Sequence, residues 1–332
     1  MIQRVLMAVI NADHPQRGME HAFRGFFGAA HVASYDYLDR KRRGLSNEDI
    51  NREFLATAQA FQPDWIWGQF QMTEVITGPT ILDVRKALPK CVVSHWMGDM
   101  RRSIAPSLAD ISKACHLTLI SNEGQYDLFH LAGAKEVAYC QIAVDWEEDV
   151  LGLPSWMPPF VVPKVVFCGS NYGNAFPGTK DREAAAKALM EAGVDFGIVG
   201  GGWNAKEFPV VGKCEVKQQH HIYQRCQVAL NVNNFNDVPR YYSDRLLIAM
   251  ASGKPVVAHQ VPDLDNDFTD DRHLMLYKTG EELVEKVRFL LNYEKTRTDI
   301  GTWGRTEVVR SHTWFSRITH LLPMIERIRR GL

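Results

Sequence analysis

The 332-residue chain has no long apolar run, no paired-cysteine motif and no large excess of either charge. The opening MIQRVLMAVI holds only six consecutive apolar residues, 5–10, before Asp13. That is too short for a signal-peptide core or a membrane span, so a cytoplasmic location is expected. The six cysteines (91, 115, 140, 168, 214 and 226) show no CxxC spacing. They read as reduced core thiols of a cytosolic protein, not as a disulfide or zinc framework. Net charge is −1, and residues 1–150 hold 15 Lys/Arg against 19 Asp/Glu, which leaves +3 for the remainder. Neither half is basic, which argues against tight, non-specific nucleic-acid binding. Two local runs, Arg40–Arg43 and Arg101–Arg102, read as solvated loops or as a basic patch.

What the chain does have is room for two ordinary domains and the 45% apolar content needed to give each a core. Apolar runs at 4–10, 31–37, 64–68, 91–95, 116–121 and 136–142 alternate with amphipathic stretches at 18–27, 47–61, 78–88, 107–113 and 122–132. DRKRRGLSNED, between the second run and the helix that Ser46 or Asn47 caps, reads as a polar loop. A second alternation follows: strands at 164–168, 195–199, 228–232 and 255–258, with helices at 181–192, 217–225, 244–252 and 280–291. Such alternation predicts α/β architecture with parallel sheets covered on both faces. Between the two, residues 143–163 carry prolines 154, 158, 159 and 163, Gly152, Trp146 and Trp156; the linker is placed at 151–163. An amphipathic tail, 313–330, closes the chain.

Residues 240–258, RYYSDRLLIAMASGKPVVA, constrain function most. Ser243 is a helix-start signal whose hydroxyl could accept an orphan amide. Leu246, Leu247, Met250 and Ala251 recur on one helical face, Gly253 stops the helix, and Val256–Ala258 reads as a buried strand. Arg245 in the first turn opposes the helix dipole unless an anion shares the space. A diphosphate would be such an anion; pairing with Asp244 is the alternative.

On Ser243, Arg245, Ala251, Gly253, Pro255 and Val256, the stretch resembles the nucleotide-sugar-binding half of two-domain (GT-B) glycosyltransferases, in the branch of CgeB-like proteins and bacteriophage sugar transferases. The resemblance continues through DLDNDFTDDRHLMLYKTGEELVEKVRFLLN to RSHTWFSRITHLL and covers most of residues 164–322. It implies two Rossmann-like parallel-sheet domains facing a cleft, with a C-terminal helix crossing back to the N-terminal domain. The expected division is an acceptor domain at 1–150, a donor domain at 164–312 and the cross-over helix at 313–332. Ile248 stands where many relatives carry a ribose-holding glutamate.

Ligands of open parallel sheets sit outside the carboxyl ends of the strands, which selects the loops for chemistry. FCGSNYG places Gly169 and Ser170 after a strand, where backbone can approach a phosphate, with Lys180 and Arg182 beyond. IVGGGW offers Gly201 for close approach and Trp203 as a flat face; the resemblance makes this segment donor-lining, and a core aromatic is the other reading. The resemblance also brings in Tyr223. Asn231 and Asn233 could bond a base edge or sugar hydroxyls, and Tyr242, Ser243, Asp244 and Arg245 complete the donor-binding set. No metal is expected: His220–His221 lacks a second ligand pair, and Asp263, Asp265 and Asp267 read as capping and solvated. Transfer to a hydroxyl needs a proton acceptor, for which Asp99 is the first candidate. His95, Asp13 and His14 are the others, and the resemblance would also put His95 beside the donor sugar.

The expected reaction is therefore metal-independent transfer from a nucleotide-diphospho-sugar, with no further cofactor, to a hydroxyl of a glycan, small molecule, protein or DNA base. The alternatives are a phage-type DNA glycosyltransferase acting on a flipped hydroxymethylated base, an inactive nucleotide-sugar-binding protein, and a nucleotide-sugar epimerase.

Overall fold

Runs rich in valine, isoleucine and leucine become strands buried on both faces, as parallel sheets between helix layers require. The computed structural model describes residues 1–13, 15–72 and 74–332. Its contacts separate Met1–Gln141 with Trp314–Leu332 from Ile142–Thr313.

In the first unit the elements run β1 (Val5–Val9), α1 (Arg17–Phe27), β2 (Val32–Asp36), α2 (Tyr37–Arg42), α3 (Asn47–Phe61), β3 (Trp65–Gly68), α4 (Gly78–Ala87), β4 (Val92–Met97), α5 (Pro106–Ala114), β5 (Leu117–Ile120), α6 (Tyr126–Leu131) and β6 (Val137–Tyr139). The strands pair in parallel in the order β2-β1-β3-β4-β5-β6. The four central strands are wholly buried, while β2 and β6 at the edges are only partly so. Ser46 caps α3 by accepting the Asp49 amide at 3.1 Å, and proline in the first turn starts α4 and α5.

The second unit runs β7 (Val165–Cys168), α7 (Gly178–Glu191), β8 (Phe196–Val199), β9 (Val210–Gly212), α8 (Gln219–Tyr223), β10 (Val228–Asn231), α9 (Asp244–Ala251), β11 (Val256–His259), β12 (Met275–Tyr277), α10 (Gly280–Asn292) and α11 (Glu294–Ser311). Its parallel sheet has the order β12-β11-β10-β7-β8-β9. Chain direction along the sheet therefore reverses between β7 and β10, the position at which doubly wound sheets open a crevice for ligands. Both sheets are Rossmann-like.

The last helix, α12 (Trp314–Arg330), returns to the first unit. Trp314 lies edge-on to Trp96 (5.1 Å between ring centroids) and Trp67 (6.2 Å), and Phe315 meets Phe26 at 5.1 Å. Farther along, Arg317 bonds the Gln141 carbonyl at 3.1 Å, Arg327 pairs with Glu136, and Arg329 pairs with Asp64.

Three readings of the sequence are corrected. The segment read as a polar loop begins with a helix, α2, because Asp36 Oδ1 accepts the Leu38 and Asp39 amides and so caps it. Helix α11 was not anticipated: it packs through Gly301 and Gly304, where a Cβ would enter the Gly253 and His273 carbonyls, so it carries little apolar periodicity. The short strands β9 and β12, three residues each, are also additions.

Trp314 is 4% exposed, so Trp314→Ala should remove about 3–5 kcal/mol from the unit that contains the tryptophan cluster. Urea unfolding followed by near-ultraviolet circular dichroism measures this. An unchanged midpoint would mean that the aromatic cluster does not anchor α12.

Candidate functional site

The loops after β7 and β10, together with the first turns of α7 and α9, bring two arginines to the switch point of the second sheet. Arg182, in the first turn of α7, is 1% exposed. Its Nε donates to the Val232 carbonyl (3.1 Å) and Nη1 to the Ser170 carbonyl (2.7 Å), while Nη2 is buried without a partner. Burial, and then the charge of Arg245, depress its pKa to about 9. Arg245 places Nε and Nη2 in buried positions where neither finds a partner, and its guanidinium pairs with no carboxylate among the described residues. Asp244 does not neutralise it: Asp244 Oδ1 instead accepts the Arg245 backbone amide at 2.9 Å.

Polar groups lacking partners gather beside these cations. Asn233 Oδ1 accepts the Ser243 amide (3.1 Å) and Asn231 Nδ2 (3.2 Å). That leaves Asn233 Nδ2, Asn231 Oδ1 and Ser243 Oγ buried and unsatisfied. An unpaired buried polar group costs about 1–3 kcal/mol and an unpaired charge more, so these groups offer positive charge and hydrogen bonds to an anionic, hydroxyl-bearing molecule. The role expected of Ser243 is corrected. Its side chain caps no amide of α9, and the 243 and 245 amides are already taken by Asn233 and Asp244.

Ser170, Arg182, Asn231, Asn233, Ser243 and Arg245 thus come together, with Asp244 holding the helix start. Gly169 and Gly201 lie in two loops that bind each other. The Gly169 amide donates to the Val199 carbonyl at 2.9 Å, and the Asn171 amide to the Gly201 carbonyl at 2.9 Å. A Cβ at Gly200 or Gly202 would enter the opposing backbone, whereas one at Gly201 would touch only Ser170 Oγ at 3.9 Å.

Of the other aromatic candidates, Tyr223 and Tyr242 are buried, and Trp203 is half-buried against a core cluster. Trp203 donates Nε1–H to the Gly169 carbonyl (2.8 Å) and lies edge-on to Phe208 and Phe167. Tyr223 is 1% exposed against Cys168, with burial driving its phenol pKa up. Tyr242 shares a buried bond with His312 (3.3 Å). Sequence reasoning missed Asn236 and Asp181, joined at 2.7 Å across 55 positions; such a pair leaves no periodic trace.

In the first unit the strand expected to stop at His95 runs on to Met97, so His95 lies inside β4, fully buried, with Nδ1 accepting the Phe70 amide at 3.2 Å. Burial lowers its pKa to about 4, so the ring is neutral and carries its proton on Nε2, which has no partner. It is a hydrogen-bond donor here. Asp99 is exposed in the loop beyond β4, and Asp13 is paired with Arg42. His14 lies outside the described residues. The run at 40–43 is largely neutralised: Arg40 bonds Asp39 and Glu53, Arg43 bonds Asp39, and Lys41 bonds Asn47. Asp267 chelates Arg240 at 2.8 and 3.1 Å. Among the described residues no group of three or more His, Cys, Asp or Glu could hold a metal ion, and no helix is long and apolar enough to cross a membrane.

Asp149, near Asp145, Glu148 and Asp244, is 8% exposed, and burial raises its pKa to about 8.

Comparison with known proteins fits this geometry. Residues 182–323 match a family described as glycosyl transferase-like. Among solved structures, a glycosyltransferase from Rickettsia africae is similar at a TM-score of 0.67 with 10% identity, covering 100% of both chains. The Anabaena protein HepE in complex with UDP-glucose gives 0.62 with 11% identity, covering 98% of this chain and 99% of that one. Sucrose-phosphate synthase from Thermosynechococcus elongatus gives 0.62 with 11% identity over 99% and 100%. At such identities the likeness is one of fold. No curated protein sequence matches.

Two stability measurements test these packing assignments. Gly200→Ala and Gly202→Ala should each lower Tm by forcing the glycine loops apart. Gly201→Ala should stay within about 0.5 kcal/mol of the native chain. Equal losses at all three positions would refute the mutual packing. Asp149→Asn should raise Tm at pH 7. The native carboxyl holds a proton between its unfolded pKa of 3.8 and its folded value of about 8, so stability falls as pH rises through that window. The gain should vanish below about pH 4; a pH-independent gain would refute the titration.

Proposed function

We propose that the protein is a glycosyltransferase whose second unit holds a nucleotide-diphospho-sugar at the β7/β10 switch point and whose first unit receives a hydroxyl acceptor. The observation that carries this reading is the pair Arg182 and Arg245: both have buried guanidinium nitrogens without a partner, the charge of one depresses the pKa of the other, and neither is ion-paired to a carboxylate among the described residues. A diphosphate supplies the missing negative charge, and it is also the leaving group of nucleotide-sugar chemistry. The match of residues 182–323 to a glycosyl transferase-like family, and the likeness to a protein solved with UDP-glucose, support a nucleotide-sugar as the donor. The Ser243 to Val256 pattern favours the CgeB-like branch. Because the 40–43 run is mostly occupied by its own acids, a glycan or small-molecule hydroxyl fits better than a DNA base.

In this reading the acceptor oxygen bonds the anomeric carbon while the carbon–oxygen bond to the diphosphate breaks. The hydroxyl proton passes to Asp99, and the electron pair leaves with the diphosphate. Arg245 and Arg182 stabilise the charge that grows on the departing oxygen, without a metal. Neutral His95 donates from Nε2 to a sugar hydroxyl. Asn231 Oδ1 and Asn233 Nδ2 read the polar edge of the nucleoside, a role left open by Ile248, which is buried among apolar neighbours.

Arg245→Ala tests the assignment. A panel of UDP-, GDP-, ADP- and dTDP-sugars first identifies the donor that the native protein turns over. The variant should then lose about 10²–10³-fold in kcat. Its Tm should hold or rise, since an unpaired buried cation has been removed. Undiminished turnover would remove Arg245 from the mechanism.

A further inference from the structure

The two arginines belong to different helices, and what sets their separation is a short polar chain running through the loop after β10. Three bonds tie this loop to α7. The Val232 carbonyl accepts Arg182 Nε at 3.1 Å, the Asn234 carbonyl accepts the Gly178 amide at 2.9 Å, and Asn236 Nδ2 donates to Asp181 Oδ2 at 2.7 Å. One bond ties it to α9, from the Ser243 amide to Asn233 Oδ1 at 3.1 Å. Asn236 joins the two sets, because its own Oδ1 accepts the Asn233 amide at 3.1 Å and so fixes the residue that receives α9. The side chain is 8% exposed, so these bonds compete with little water.

Steric closeness adds to the case. At Gly178 a Cβ would enter the Asn233 and Asn234 backbone, so α7 and the loop are already at their nearest approach. The Asn236–Asp181 bond is a side-chain link across this close contact, at the residue that precedes Arg182. We propose that Asn236, acting with Asp181, is a positioning residue that holds the α7 and α9 arginines at the spacing of a diphosphate. It touches neither cation directly and works through Asn233 on one side and Asp181 on the other. The inference rests on the reading of the arginine pair as a diphosphate site.

A charge-conserving exchange isolates the role. In Asn236→Asp the new carboxylate still accepts the Asn233 amide but meets Asp181 as a like charge, so the α7 link opens. In Asp181→Asn the amide oxygen can still accept from Asn236. The double variant Asn236→Asp/Asp181→Asn restores a donor facing an acceptor, with their places exchanged and net charge unchanged.

Isothermal titration with inorganic pyrophosphate and with UDP reads the outcome, alongside Tm. The expected result is binding of both probes weakened about tenfold in Asn236→Asp, the size of one charge-assisted hydrogen bond. Asp181→Asn should stay within about threefold of the native chain, and the double variant should recover to that level. The rescue separates positioning from simple loss of packing, which the exchange would not repair. Native-like affinity in Asn236→Asp, or a folded double variant that stays weak, would overturn the proposal. If native protein and Arg245→Ala are alike in binding neither probe, the diphosphate reading itself fails, and this inference with it.

Discussion

Two guanidinium groups with buried, unpartnered nitrogens and no ion-paired carboxylate among the described residues, set where the second sheet reverses direction, are the constraint that the rest of that unit accommodates. Removing a cation from water costs several kcal/mol even after relaxation, and a second like charge nearby adds to it. The fold offsets part of this with carbonyls: Ser170 and Val232 take two of the donors of Arg182. Those carbonyls come from the loops after β7 and β10, strands that are neighbours in space though some sixty residues apart in sequence. The sheet order is therefore a condition of the site as well as its support. What remains unsatisfied among the described residues includes donors on Arg182, Arg245 and Asn233, the acceptors Asn231 Oδ1 and Asn234 Oδ1, and the Ser243 hydroxyl.

The glycine-rich loops gain a different meaning from this geometry. Gly169–Asn171 and Gly200–Gly202 are glycine-bearing first of all because their backbones approach each other, with Trp203 pinning the junction through the Gly169 carbonyl. A phosphate-cradling reading treats every glycine alike, but a Cβ would meet close neighbours at Gly169, Gly200 and Gly202 and not at Gly173 or Gly201. The loops form a stiff base, and Arg182 hangs from it through the Ser170 carbonyl. In the proposed reading, such a base would aim the leaving-group contacts before the reaction begins.

In the first unit, burial decides the chemistry of His95 more than its neighbours do. An imidazole sealed within a buried strand, with Nδ1 fixed by the Phe70 amide, is a neutral donor through Nε2 and a poor proton acceptor. Asp99, exposed two residues past the strand, has the opposite character. The two candidates the sequence puts close together are thus separated in role by four residues of chain and a large difference in solvation. Asp13, by contrast, is ion-paired with Arg42.

Much of the architecture was legible from residue order alone. Two successions of apolar strands and amphipathic helices specify parallel sheets, since strands covered on both faces must be apolar throughout. Arg245 was conspicuous because a cation in a first helical turn is unfavourable by itself. Helix α11 was hidden because glycine-to-backbone packing has no hydrophobic period, and α2 because its charged residues obscure the Asp36 cap. Only the tertiary structure decided that Arg245 has no ion-paired acid among the described residues, that Tyr223 and Tyr242 are buried, and that Asn236 reaches Asp181. Local sequence governs which groups a segment presents. Whether those groups find partners depends on side chains brought beside them by the sheet from far along the chain.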